Sequence, residues 1–208
     1  MALVLLIAAA IQVTQVEPAQ LPPTDRCGSD RSFVEYRARL SAAVARKDAA
    51  ALHPLVASDI QIDLGDGKGW HAFVREWALN RPAESGLWRE LSAVLELGCE
   101  NHDGLRIMPG NFSKLSEYDH PLPVYFAVQK GAALLSQPDD SAPVVMTLED
   151  HVLFENFDVA PEGWINARLS DGRSGYVRSS SVRSAIDYRA GFEKRDGNWV
   201  MTSLVAGD

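Results

Sequence analysis

Gly163-Trp164-Ile165-Asn166-Ala167-Arg168-Leu169-Ser170-Asp171-Gly172-Arg173-Ser174-Gly175-Tyr176-Val177 is the stretch whose reading decides the fold. Two short apolar runs flank Asp171-Gly172, a dipeptide suited to the φ > 0 positions of a tight hairpin. Upstream, residues 144–148 and 152–154 read as two more short strands, with Glu149-Asp150 between them. Pro138-Asp139-Asp140-Ser141 supplies another turn. Four or five short strands separated by turns within about sixty residues predict a small barrel rather than an open sheet.

Leu134, Pro138, Val144, Leu148, Val152, Trp164 and Val177, with the Gly175-Tyr176-Val177 signature, resemble the bacterial SH3-like domain. The resemblance covers residues 124–184 and implies a barrel that binds envelope protein, peptide or peptidoglycan. Leu135 departs from the pattern, standing where many members carry an arginine before the Ser-x-Pro turn, so a ligand contact through that arginine is not carried over. Trp164, Val177 and Leu148 read first as core. Tyr176 with Phe154, Phe157 and Trp164 forms the candidate ligand groove, of the aromatic kind that SH3-like barrels use for peptides.

The 208 residues leave room for one or two domains, and 46% hydrophobic with 23% charged residues is ordinary globular composition. A formal charge of −8 argues against a nucleic-acid surface, which needs basic side chains to displace counterions from phosphates. Residues 1–13 are apolar and uncharged, too few to span a bilayer, which takes about 20 residues. A secretory signal peptide fits them best, with cleavage after Ala10 and no stable membrane insertion afterwards, although a positive n-region is missing. The rival reading is a buried strand or helix of a cytosolic protein. Export to a periplasmic or secreted location makes Cys27 and Cys99 a candidate disulfide; two buried thiols or a metal pair are the alternatives. Neither cysteine has a ligand at metal spacing, so no metal site is expected.

Residues 15–23 hold three prolines and no periodicity, the pattern of a mobile linker. Ser32 with Glu35 reads as a capping box before the helical stripe Phe33, Tyr36, Leu40, Ala43 and Val44. Asp48 caps a second, shorter helix that Pro54 ends. Residues 60–64 alternate as a strand, and residues 65–69 form a tight loop. Trp70, Phe73, Val74 and Trp77 then make an i, i+3, i+4, i+7 stripe. Ser85 caps a further helix carrying Leu87, Trp88, Leu91, Val94 and Leu95, which stops near Gly98. Residues 100–123 read as a long connection. Beyond the barrel, Tyr188, Ala190 and Phe192 alternate, Asp196-Gly197 turns, and residues 199–205 return as a hairpin.

Phe192-Glu193-Lys194-Arg195-Asp196-Gly197-Asn198-Trp199 is similar to the terminal hairpin of the nuclear-transport-factor-2-like (SnoaL-type) cone. The opening, Asp48-Ala49-Ala50-Ala51-Leu52 followed by a strand and Gly69-Trp70, is similar to the start of that fold. The fold class expected is therefore α+β. Residues 1–23 are signal and linker, 28–123 mainly helical, 124–184 the barrel and 185–208 the hairpin. That hairpin either completes a cone-like layer with the first region or is simply appended to the barrel.

No catalytic residue and no cofactor are assigned. His53, His71, His102, His120 and His151 share no ligand spacing, and Asp103 and Asp119 are mere sequence neighbours of His102 and His120. The 65–69 loop lacks the Lys-Ser/Thr ending of a phosphate cradle and the glutamate of a calcium loop. The expectation is an exported, non-enzymatic binding protein. Its rival is a small-molecule binder, hydrolase or isomerase using a cone pocket lined by Asp63 and Tyr188.

Overall fold

The structure is a computed structural model and describes residues 17–111, 114 and 124–207. The expected signal peptide, its cleavage point, His120 and most of the 112–123 segment lie outside the described residues. The chain runs from strand β1 (Thr24–Asp25) through helices α1 (Arg31–Ala45) and α2 (Ala49–Leu52) into strand β2 (Val56–Gln61). Helices α3 (Trp70–Glu76) and α4 (Leu87–Glu96) follow, then the hairpin β3 (Gly98–His102) and β4 (Leu105–Met108). Next come β5 (Val124–Ala127), β6 (Ala132–Leu135), β7 (Val144–Leu148) and β8 (Val152–Glu155). Strands β9 (Trp164–Arg168), β10 (Ser174–Arg178) and β11 (Val182–Ser184) complete that group. Last are β12 (Arg189–Arg195) and β13 (Asn198–Val205).

These strands build two sheets, so the class is α+β as expected. The first is six-stranded in the order β1-β3-β4-β12-β13-β2, and the terminal hairpin lies inside it. The second is seven-stranded in the order β11-β5-β8-β9-β10-β6-β7. The closed barrel expected from the turn spacing is not found, because β11 and β7, at opposite ends of this order, do not pair. The β11 edge is instead turned toward α4, since Val182 and Arg183 share a cavity with Arg89 and Glu90.

Helical stripes fill one face of the first sheet. Phe33, Tyr36 and Leu40 of α1, Phe73 of α3 and Leu91 of α4 are fully buried in one cluster with Phe192 and Met201. The Phe33 ring meets Phe192 edge-on at 5.6 Å and Trp199 at 5.0 Å between centroids, the offset geometry that aromatic quadrupoles favour. Burying each such side chain stabilises by roughly 1.5–3 kcal/mol. Tyr36, whose hydroxyl donates to the Leu55 carbonyl at 2.8 Å, stays neutral because burial pushes its pKa well up. The second sheet has its own core of Leu134, Leu148, Leu153, Ala167, Leu169 and Val177.

Several local expectations are corrected. The cap of α1 is Asp30, whose carboxylate accepts the Phe33 amide at 3.1 Å, so the Ser32–Glu35 capping box does not form. Ser32 instead donates to Asp30 and accepts the Trp199 indole N–H at 2.9 Å, tying helix to sheet. The strand expected at 60–64 runs from Val56 to Gln61, because Asp63 takes the amides of Gly65 and Gly67 and bends the chain away. Asp48 does cap α2, through the Ala51 amide. The supposed connection from residue 100 begins as the β3–β4 hairpin, turned at Asp103-Gly104, both with positive φ.

The segment expected to be a mobile linker is a strap across both sheets. Ala19 accepts the Val152 amide, and Leu21 donates to the Asp150 carbonyl at 2.7 Å, fastening it to the second sheet. Three residues later, Thr24 and then Asp25 pair in parallel with Gly98 and Cys99 of the first. Gly98 and Gly110 make room for it: a Cβ at either would collide with the Thr24 carbonyl. Cys27 and Cys99 are joined in a disulfide, with their Cα atoms 5.7 Å apart.

The Asp30 cap makes a pH-dependent prediction. The Ser32 hydroxyl first, then the Phe33 amide and Arg106, hold its carboxyl below the ordinary aspartate range. A lowered folded pKa contributes stability that is complete above the unfolded value of about 3.9 and lost as pH falls through the folded value. Asp30→Ala should cost about 1 kcal/mol in urea unfolding at pH 7. The gap to wild type should close in acid; a gap undiminished at pH 2 would show that the cap is not ionic.

Candidate functional site

The β9–β10 hairpin positions the expected groove residues. Its register pairs Trp164 with Arg178 and Asn166 with Tyr176, and β8 adds Phe154 opposite Arg168. Cross-strand partners share a face, so Trp164, Asn166, Arg168, Tyr176, Arg178 and Phe154 stand on one side of the second sheet. Val177 and Ala167 point the other way, into its core.

Electrostatics then decide which aromatic rings are open. The Arg178 guanidinium lies 4.1 Å over the Trp164 ring and grips Asp140 with two hydrogen bonds, of 3.0 and 2.5 Å. Asp140 in turn raises the Arg178 pKa, keeping the cation in place. Trp164 is therefore 9% exposed, a core residue under a cationic lid. Arg168 covers Phe154 in the same way at 5.1 Å, and the Phe154 ring packs into the junction cluster with Leu21, Leu97, Phe126 and Val152. Tyr176 is half-buried between Asn166 and Leu135.

Phe157 is different. It is 73% exposed and holds a φ of 56°, a conformation unfavourable for a bulky side chain. Beside it, Asn156 anchors the loop base by donating to the Asn166 side-chain carbonyl at 2.9 Å, and two residues on Val159 is fully solvated. The result is a loop, braced at its base, that presents two apolar side chains to water.

The pocket expected in a cone is occupied by the protein itself. Phe33, Tyr36, Phe73 and Phe192 fill the helix-covered face of the first sheet. Asp63 is exposed and engaged with loop amides, whereas Tyr188 packs on Trp77 at 4.9 Å, and burial pushes its phenol pKa up. Neither lines the cavities of about 620, 490 and 540 Å³ that open on the surface. His151 is buried and accepts the Glu149 amide at 2.8 Å, a structural bond. Asp25, Cys27 and Cys99 cluster closely enough to hold a metal, but both sulfurs are committed to the disulfide.

The sequence reading missed Arg168, Arg178 and Asn166. The hairpin centre at Asp171 was enough to place Arg178 opposite Trp164, since paired residue numbers are symmetric about the turn.

No family model matches the chain, and no curated protein matches it. A solved structure of Rd1NTF2_05 carrying five substitutions is 13% identical, covering 88% of this chain and 100% of that one, with a TM-score of 0.30. A likeness that slight bears no weight. No helix among the described residues is long and apolar enough to cross a membrane.

The Arg178 lid is testable by fluorescence. In Arg178→Ala, one of the five tryptophans should become accessible and acrylamide quenching should rise at unchanged circular dichroism. Quenching equal to wild type would mean that Trp164 is sheltered by the sheet and not by the guanidinium.

Proposed function

We propose that the protein is an exported, non-enzymatic binding protein whose second sheet is a bacterial SH3-like module recognising a peptide segment of an envelope protein. The observation that carries this reading is the Phe157 loop, which keeps a large apolar ring in water at a disfavoured φ. Strain of that kind persists where the surroundings hold it, and it clusters at functional sites. On the same sheet Arg168, Arg178 and the half-buried Tyr176 share one face, a cationic and aromatic surface suited to acidic and apolar side chains together. The Cys27–Cys99 disulfide fits an oxidising compartment such as the periplasm or the exterior. The rival reading, chemistry in a cone pocket, is less well supported because aromatic rings fill that interior.

The test is capture from solubilised envelope extract on immobilised full-length protein, beside retention on cell-wall sacculi. Wild type should retain envelope protein, and Phe157→Ser should lose at least about tenfold of it at an unchanged circular dichroism spectrum, as removal of an interface anchor does. Tyr176→Ala should weaken capture less. Equal capture by wild type and Phe157→Ser would remove the loop from the account, and retention by sacculi alone would replace the peptide with peptidoglycan.

A further inference from the structure

Arg183 is a charged residue in an uncommon setting. It sits on the edge strand β11, is 7% exposed, and donates one hydrogen bond, at 2.6 Å, to the Tyr188 carbonyl. No carboxylate lies within ion-pair distance of it among the described residues. Burial pulls its pKa down, with Asp187 and Glu90 close enough to offset part of the cost. A guanidinium carries five N–H donors in a planar fork that matches a carboxylate. Among the described residues Arg183 uses one of these, on the Tyr188 carbonyl, while lining a cavity of about 620 Å³ between α4 and β11.

The rest of that cavity restricts what the fork can hold. Its charged lining is Arg89, Arg183, Glu90, Glu96 and Asp187, two cations against three carboxylates. A multiply charged anion such as phosphate would be repelled by the three carboxylates, and a simple cation would meet the buried arginine. A ligand with both charges satisfies both. Glu90 receives Arg89 on Oε1 alone, and Asp187 receives the Ser184 amide on Oδ2 alone, leaving one oxygen of each with no hydrogen bond among the described residues. Ala93, Leu97, Val128 and Val182 give the same cavity an apolar wall.

We propose that the cavity between α4 and β11 binds a small zwitterion with an aliphatic body, of the class of the free aliphatic amino acids. The carboxylate pairs with Arg183, the ammonium with Glu90 and Asp187, and the aliphatic part lies against Leu97 and Val182. The site lies at the β11 edge of the sheet and shares no residue with the Phe157 loop, which joins the interior strands β8 and β9.

The probe is L-leucine, titrated by calorimetry into the full-length protein beside leucinamide, N-acetyl-leucine and inorganic phosphate. Leucine should bind, and each blocked analogue should bind at least about tenfold more weakly, because each leaves one charged group in the cavity unpaired. Glu90→Gln should weaken leucine by a similar factor, its fold checked by circular dichroism because Glu90 pairs with Arg89 in the first turn of α4. Arg183→Lys should do so too, its fold checked by circular dichroism because Arg183 also holds the Tyr188 carbonyl. The proposal is overturned if leucine gives no heat, if the blocked analogues or phosphate match it, or if Glu90→Gln binds as wild type does.

Discussion

The strap formed by residues 19–27 is the constraint on which the rest of the molecule depends. It is hydrogen-bonded to Val152 and Asp150 of one sheet and paired with Gly98 and Cys99 of the other, all within a few residues. The Cys27–Cys99 bond then pins its end across a sequence separation of 72, a closure worth about 4 kcal/mol in the chain-entropy picture. Under the strap, Leu21 and Leu97 pack against Val124, Phe126 and Val152, giving the junction an apolar core of its own. Two sheets that would otherwise be separate units share a buried interface, and the cavity beside Arg183 opens between α4 and β11.

Within that frame the two sheets differ in what they leave open. The first spends its helix-facing side on packing, with Phe33, Tyr36, Phe73 and Phe192 buried together in one cluster. The second buries a small aliphatic core, arginines stack on Trp164 and Phe154 on its opposite face, and the loop after β8 exposes Phe157.

Much of this was legible in the sequence where the signal is local. The stripes of α1, α3 and α4, the Asp48 cap, the strands flanking Asp171-Gly172 and the terminal hairpin all follow from periodicity and turn chemistry. The strap was not legible, because its hydrogen bonds go to residues far along the chain and leave no period in a proline-rich stretch. The β3–β4 hairpin escaped because Glu100, Asn101 and His102 are polar and their strand is short; Asp103-Gly104 was the available signal. Arg183 looks like any surface arginine until α4 is packed beside it. Openness of the barrel likewise depends on tertiary contact: turn spacing counts strands and says nothing about whether the last one pairs with the edge or is covered by a helix.

The most direct test of a joined two-sheet molecule is native-state hydrogen exchange followed by mass spectrometry, along a urea series, on the oxidised protein. Peptides from β8–β10 and from β12–β13 should lose protection together, at one urea concentration, because the strap and the junction core couple the sheets into one cooperative unit. Separate loss, with β8–β10 opening well before β12–β13 while the disulfide is intact, would contradict the coupling and leave two independent domains on a string.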